Sequence, residues 1–202
     1  MNAKHSQEIA FGILAGGAGR RVGGADKGWL LRDGRPQIEA LIDAIRSNEE
    51  RLGLAPSRLL ISANRNLDDY ARLGDAVIPD GDEFDQFPGP LIGVMRLLQA
   101  IQPSERLITL PVDAVPDETL NRAIHSLLAA DANGAAVVTG PDGPQPPFAS
   151  YPASLGEHCQ RAVAAGERGM HHWQQRIDTQ WLWLAHSPGN ANQPGDYDPV
   201  GW

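Results

Sequence analysis

A chain of 202 residues, 42% apolar and 21% charged, has room for one domain with a substantial core. Its net charge of −8, with no basic cluster beyond Arg20-Arg21, argues against nucleic acid as a partner. The lone cysteine, Cys159, excludes an intrachain disulfide and cysteine-rich zinc sites; with no signal-peptide pattern and no long apolar run, the expectation is a cytoplasmic protein away from membranes.

Residues 1–7 are polar and read as a loose start. The apolar run 9–14 reads as a buried first strand, and it leads into Leu14-Ala15-Gly16-Gly17-Ala18-Gly19-Arg20-Arg21-Val22-Gly23-Gly24-Ala25-Asp26-Lys27-Gly28. Glycine lets a backbone take positive φ and approach a ligand closely, so that successive N–H groups converge on an anion. Lys27, Arg20 and Arg21 supply the positive charge to neutralise what the amides cradle. A strand running straight into such a loop is where open α/β sheets bind ligands. Two familiar phosphate motifs do not fit. Walker A needs Gly-Lys-Ser/Thr, whereas Lys27 stands between Asp26 and Gly28; the dinucleotide pattern needs glycine where Val22 stands.

Residues 29–31 and the turn 33–36 predict a hairpin-like excursion. From Gln37, Ile38, Leu41, Ile42, Ile45 and Leu52 recur at helical spacing, and that helix ends near Gly53. A strand at 58–62 leads to Asn64; a short helix at 67–73 closes at Gly74; a third strand occupies 76–78. An acidic loop spans 80–90, a helix 91–101, and a fourth strand 107–112 carries Asp113 directly after it. Pro116-Asp117 opens a helix bearing Leu120, Ile124, Leu127 and Leu128. Four strand–helix alternations predict an α/β fold, a single domain built on a doubly wound, mostly parallel sheet, with helices on both faces. Beyond about residue 130 the pattern loosens into short strands at 135–139 and 148–151, helices at 154–165 and 168–175, and a strand at 179–184. The nucleotide-binding part is therefore placed at about 8–130 and a less regular acceptor-side part at about 131–202, within one domain spanning 1–202.

Residues that follow strands gather along one edge of such a sheet. The glycine loop, Ser62, Asn64, Asp80 and Asp113 all occupy that position. Carboxylates facing a phosphate loop call for a hard cation between them, and magnesium prefers oxygen ligands together with substrate phosphates. Asp113, projecting from an apolar strand, is the better ligand candidate. His171-His172 are read as surface or packing residues, Cys159 as a small buried apolar residue, and Trp173, Trp181, Trp183 and Trp202 as completing the core rather than stacking on a ligand.

The order L-A-G-G-x-G-x-R-x-G-G-x-D-K-G closely resembles the signature loop of nucleotidyltransferases, and in particular of the molybdenum cofactor guanylyltransferases. Pro88-Gly89-Pro90-Leu91-Ile92-Gly93 matches that family's P-G-P-L-x-G segment, and Gly166-Glu167-Arg168 its G-E-R. Val22 stands where methionine is usual, Leu110–Pro116 keeps the aspartate of P-C-D-T-P but not its cysteine and threonine, and Asn190–Asp196 is a worn N-x-N-T-P-E-D. The resemblance implies that Leu14, Ala15, Gly16, Gly17 and Lys27 contact GTP, with Ser62 and Asn64 nearby. It further implies that Asp80 helps hold the nucleoside, that Asp113 binds nucleotide and Mg2+, and that Asn190 and Asn192 lie on the acceptor side. Lys27, Arg20, Arg21 and Asp113 are the implied catalytic set. The implied reaction transfers GMP from GTP to the molybdopterin cofactor, and the implied protein partners are molybdoenzymes or other proteins of the cofactor's biosynthesis. Two rivals are a cytidylyl- or sugar-1-phosphate nucleotidyltransferase and a catalytically weak cofactor-binding protein.

Overall fold

The computed structural model describes residues 8–82, 84 and 89–199. The expected loose start, residues 83 and 85–88 of the acidic loop (Pro88 of the matched segment among them) and Trp202 lie outside the described residues.

The chain opens with β1 (Glu8–Leu14), passes through the glycine loop and forms a small hairpin of β2 (Leu31–Arg32) and β3 (Arg35–Pro36). It continues through α1 (Gln37–Arg51), β4 (Arg58–Ser62), α2 (Leu67–Tyr70), β5 (Ala76–Ile78), α3 (Pro90–Ala100), β6 (Glu105–Pro111) and α4 (Glu118–Ala129). The later part supplies β7 (Ala135–Gly140), β8 (Gly143–Pro152), α5 (Gly156–Ala164), α6 (Met170–Gln174) and β9 (Thr179–Trp183). One sheet takes seven strands in the order β5-β4-β1-β6-β8-β7-β9. Strands β5, β4, β1 and β6 run parallel, β8 runs against both β6 and β7, and β9 is parallel to β7. The sheet is thus doubly wound and mostly parallel, with β8 its one reversed strand.

Alternation along the strands divides the core. Phe11, Ile13, Leu59, Ile61, Ile108 and Leu110 point to one face, where α1 (Ile38, Leu41, Ile45) and α4 (Leu120, Ile124, Leu127) cover them. Ala10, Leu60 and Leu107 point to the other, under α3, α5 and α6. Burial on both faces is why these strands read as continuous apolar runs. Helix α3 lies so close to β1 that a Cβ on Gly12 would stand 2.8 Å from a Leu97 methyl. Among the described residues no helix is long and apolar enough to cross a membrane.

Two sequence expectations need correction. Strand β8 begins at Gly143, five residues before the expected start at 148. Pro144, Pro146 and Pro147 argue against a strand because proline donates nothing to a ladder. Here the β7–β8 register breaks between Val137 and Thr139, and side chains take up the proline carbonyls: Thr109 Oγ1 donates to Pro147 at 2.8 Å and Gln174 Nε2 to Pro146 at 2.8 Å. The tryptophans also separate. Trp173 is fully buried and donates to His158 Nδ1, whereas Trp183 on edge strand β9 is 67% exposed and Trp181 stacks edge-on against His171. Cys159 is buried as expected, and burial pushes its thiol up to about 12, which keeps it unreactive.

Candidate active site

The C-terminal ends of β1, β4, β5 and β6 enclose a cleft of about 590 Å³. The residues that line it include Leu14, Ala15, Gly16, Gly17, Arg20, Arg21, Lys27, Ser62, Asp80 and Asp113. Four separate segments converge because parallel strands all point the ends that carry these loops the same way. Ala15 N–H donates to Ser62 O at 2.8 Å and Val112 N–H to Leu14 O at 3.1 Å, so the first residues past the strands continue the ladder and are fixed by it.

The loop itself turns at Gly19, whose φ of 62° is left-handed and whose carbonyl accepts from both Val22 N–H and Gly24 N–H at 2.9 Å. Arg20 and Arg21 occupy a single 310 turn and are exposed at the cleft's rim. A second 310 turn carries Lys27 and is capped by Asp26, which accepts from Gly28 N–H at 3.2 Å. Asp26 in turn accepts from the Tyr70 phenol at 2.7 Å and from Asn66 Nδ2 at 2.9 Å. Burial, then the Asp26 carboxylate, pushes the Tyr70 phenol far above its usual pKa, so it remains a donor throughout the physiological range. Asn66 and Tyr70 were not expected at the site. Their signal was weak: both follow Asn64, and neither belongs to a phosphate-binding motif.

Lys27 Nζ donates to Asp113 Oδ2 at 2.6 Å and to Asn192 Oδ1 at 2.7 Å. Both charged side chains are mostly buried, 19% and 15% exposed, so the pair is far less screened than a surface one. Asn192 arrives there by backbone pairing. Ala114 bridges Asn190, Ala191 N–H donates to Asp113 O at 2.8 Å, and Val115 N–H donates to Gly189 O at 2.9 Å. Asp196 Oδ2 then accepts from Asn192 N–H and Gln193 N–H, closing a capped 310 turn where the worn motif lies. Val22, Ala191 and Tyr197 form a small core of their own, which fastens this segment to the glycine loop. Asn190, expected beside Asn192, contributes its backbone; its side-chain oxygen is buried without a partner.

Asp80 is set differently. Its carboxylate accepts from Asn64 Nδ2 at 2.6 Å while its own N–H donates to Asn64 Oδ1 at 2.9 Å, a closed ring between the ends of β4 and β5. Arg96 Nε holds the Asp80 carbonyl at 2.7 Å. Burial raises the Asp80 pKa above the usual carboxylate value, with the Asn64 bond and the Arg96 charge opposing that shift. Asn64 thus supports Asp80 from behind, while Ser62, 2% exposed, packs against Gly93 of α3.

Among the described residues no three His, Cys, Asp or Glu side chains group as a metal cage. Asp113 retains a second carboxylate oxygen beside the one Lys27 meets. One such oxygen would suit a hard cation only if substrate oxygens completed its shell.

Known proteins resemble this arrangement at both levels. The family described as the MobA-like NTP transferase domain matches residues 12–180. A molybdenum cofactor guanylyltransferase of Burkholderia ambifaria is 38% identical over 188 residues, covering 89% of this chain and 87% of its own. Among solved structures, molybdopterin-guanine dinucleotide biosynthesis protein A from Archaeoglobus fulgidus superposes with a TM-score of 0.67 at 18% identity, over 93% of this chain and 94% of that one. The inositol-1-phosphate CTP transferase of T. maritima superposes with a TM-score of 0.71 at 13% identity, over 95% and 92%.

Proposed function

The chain belongs to the MobA-like NTP transferase family, alongside the molybdenum cofactor guanylyltransferases, and we propose that it transfers GMP from GTP to the molybdopterin form of the cofactor, releasing pyrophosphate. The observation that carries this reading is the meeting of Lys27, Asp113 and Asn192 at 2.6 and 2.7 Å. Three separate stretches of the resemblance supply them, and they touch at the mouth of the phosphate loop. The same meeting disfavours a mere binding protein, because the worn motif around Asn192 still delivers its side chain.

In this reading the terminal phosphate oxygen of molybdopterin attacks the α-phosphorus of GTP. A P–O bond forms there as the bond from the α-phosphorus to the bridging oxygen breaks, and the electron pair leaves with pyrophosphate. The attacking phosphate is already anionic, so no side chain has to remove a proton. The protein's task is positioning and charge stabilisation. The loop amides hold the triphosphate, Arg20 and Arg21 screen it from the rim, and Lys27 moves its charge from Asp113 toward phosphate oxygens. Asp80 accepts hydrogen bonds from the nucleoside. Asp113, with phosphate oxygens, would hold Mg2+. When bound, that ion supplies Lewis-acid neutralisation of the phosphates.

The fold alone does not select the base, since a CTP transferase superposes as well as the guanine dinucleotide protein. Guanine rests on the sequence likeness to the guanylyltransferases. The test is to supply each NTP with magnesium and molybdopterin and to measure pyrophosphate. GTP should be preferred. Preference for CTP by about tenfold or more, some 1.4 kcal/mol, would move the protein to the cytidylyl branch. Tight molybdopterin binding with no pyrophosphate from any NTP would leave a binding protein.

A further inference from the structure

Arg65 does not line the cleft. It lies behind the glycine loop, and its fork reaches both ends of it. Nη1 donates to Gly24 O at 2.7 Å, and Nη2 donates to Ala25 O at 2.9 Å and to Gly17 O at 3.1 Å. Its Nε lies 3.8 Å from Asp26 Oδ2, the carboxylate that also takes Asn66 and caps the turn of Lys27. Tyr70, bonded to that carboxylate, also backs Gly28: a Cβ there would collide with the phenol oxygen.

The consequence follows from peptide geometry. A trans peptide unit is planar, with its C=O and the following N–H pointing in opposite directions. Pinning the Gly17 carbonyl onto Arg65 therefore turns the Ala18 N–H to the opposite side, and Gly17 and Ala18 both line the cleft. The same guanidinium polarises these peptide units, which sharpens the positive end each presents to an anion. The glycines give the loop freedom to adopt the cradle and equal freedom to leave it. Something outside it has to select the cradle.

We infer that Arg65, set beside the Asp26 carboxylate that Tyr70 holds, is the positioning residue that holds the glycine loop in its phosphate-receiving shape and sets where Lys27 starts. The inference rests on the reading of the cleft as a nucleotide site, but it concerns the phosphates alone, not the base or the acceptor.

The test therefore uses inorganic pyrophosphate with magnesium chloride, a probe that has neither, measured by calorimetry on the full chain. Arg65→Ala should weaken pyrophosphate at least about tenfold, the scale of losing charge-assisted hydrogen bonds. Millimolar guanidinium should restore part of that affinity in a saturable way. Arg65→Lys should stay close to the alanine variant, because a single ammonium cannot span three carbonyls in the plane of a fork. Tyr70→Phe keeps the ring and deletes one bond to Asp26; it should weaken pyrophosphate by about threefold while Tm falls by no more than a few degrees. Should Arg65→Ala fail to fold, Tyr70→Phe and Arg65→Lys decide the matter. Pyrophosphate affinity unchanged in Arg65→Lys or Tyr70→Phe overturns the inference, as does Arg65→Ala folding normally and binding like the parent. Failure of pyrophosphate to bind the unmodified protein overturns it too. A GMP transfer rate unaltered by Arg65→Ala removes Arg65 while leaving the guanylyltransferase reading intact. Arg65-dependent pyrophosphate binding without GMP transfer does the reverse.

Discussion

The ends of β5 and β6 each deliver an aspartate to one cleft, and the two carboxylates accept a hydrogen bond of the same 2.6 Å length from different partners. Asp113 meets the ammonium of Lys27. Asp80 meets the neutral amide of Asn64, and burial lifts its pKa. Topology places a carboxylate, but its partner decides what it is for. A carboxylate already compensated by a cation can exchange that cation for another when charge arrives. One locked to an amide is a fixed acceptor, suited to reading neutral N–H and O–H groups.

That contrast can be broken most directly at Asp113. Asp113→Asn keeps shape and deletes one charge, so the fold should survive while turnover falls more than about a hundredfold, roughly 3 kcal/mol in the transition state. Melting temperature and pyrophosphate release measured side by side decide it; a stable variant with half the normal rate would make Asp113 no more than a turn residue.

Lys27→Ala comes next. It removes a point charge from the phosphates and leaves Asp113 uncompensated in a mostly buried place, so affinity for the triphosphate should fall by about ten- to a hundredfold. Binding to the parent should weaken with added salt more steeply than binding to the variant. Equal salt slopes would show that Lys27 never reaches the nucleotide.

The smallest effect sharpens the other half of the comparison. A carboxyl whose folded pKa is raised takes up a proton more readily folded than unfolded. Stability therefore falls as pH rises from the ordinary carboxylate value through the raised one, and the cost persists above it. Asp80→Asn removes that ionisation and can still accept from Asn64. Its Tm relative to the parent should climb across that acidic window by about a degree or two, then level off. A Tm difference constant with pH would mean that the Asp80 ionisation is not opposed by folding.

How much of this was legible follows from where the information sits along the chain. The glycine loop is contiguous, so its composition alone could be read as a phosphate cradle. Asp113 and Asp80 could be found because each directly follows an apolar strand, and strand ends gather by topology. Asn192 was reachable only through resemblance, since the residues between it and Lys27 hold no periodic clue to their pairing. Arg65 was silent for a different reason: it acts on backbone carbonyls 40 to 48 positions away, and a carbonyl has no letter in the sequence. Strand β8 was half hidden because its prolines obey the rule against strands while Thr109 and Gln174 satisfy the carbonyls instead. Trp183 was misplaced because aromatic residues usually mark the core, and an edge strand has a second side.

The segment 189–198 has one more consequence, and it concerns time. Asn192 and Asp198 bond to residues 165 positions earlier, Lys27 and Asp33, and residues 189–191 complete the pairing around Asp113. A domain generally folds as a unit, and the residues of β1, the glycine loop and β6 are synthesised well before these contacts can form. The triad of Lys27, Asp113 and Asn192 closes only when residue 192 is free to dock. Closure of that triad therefore waits for synthesis and docking of residues 189–198.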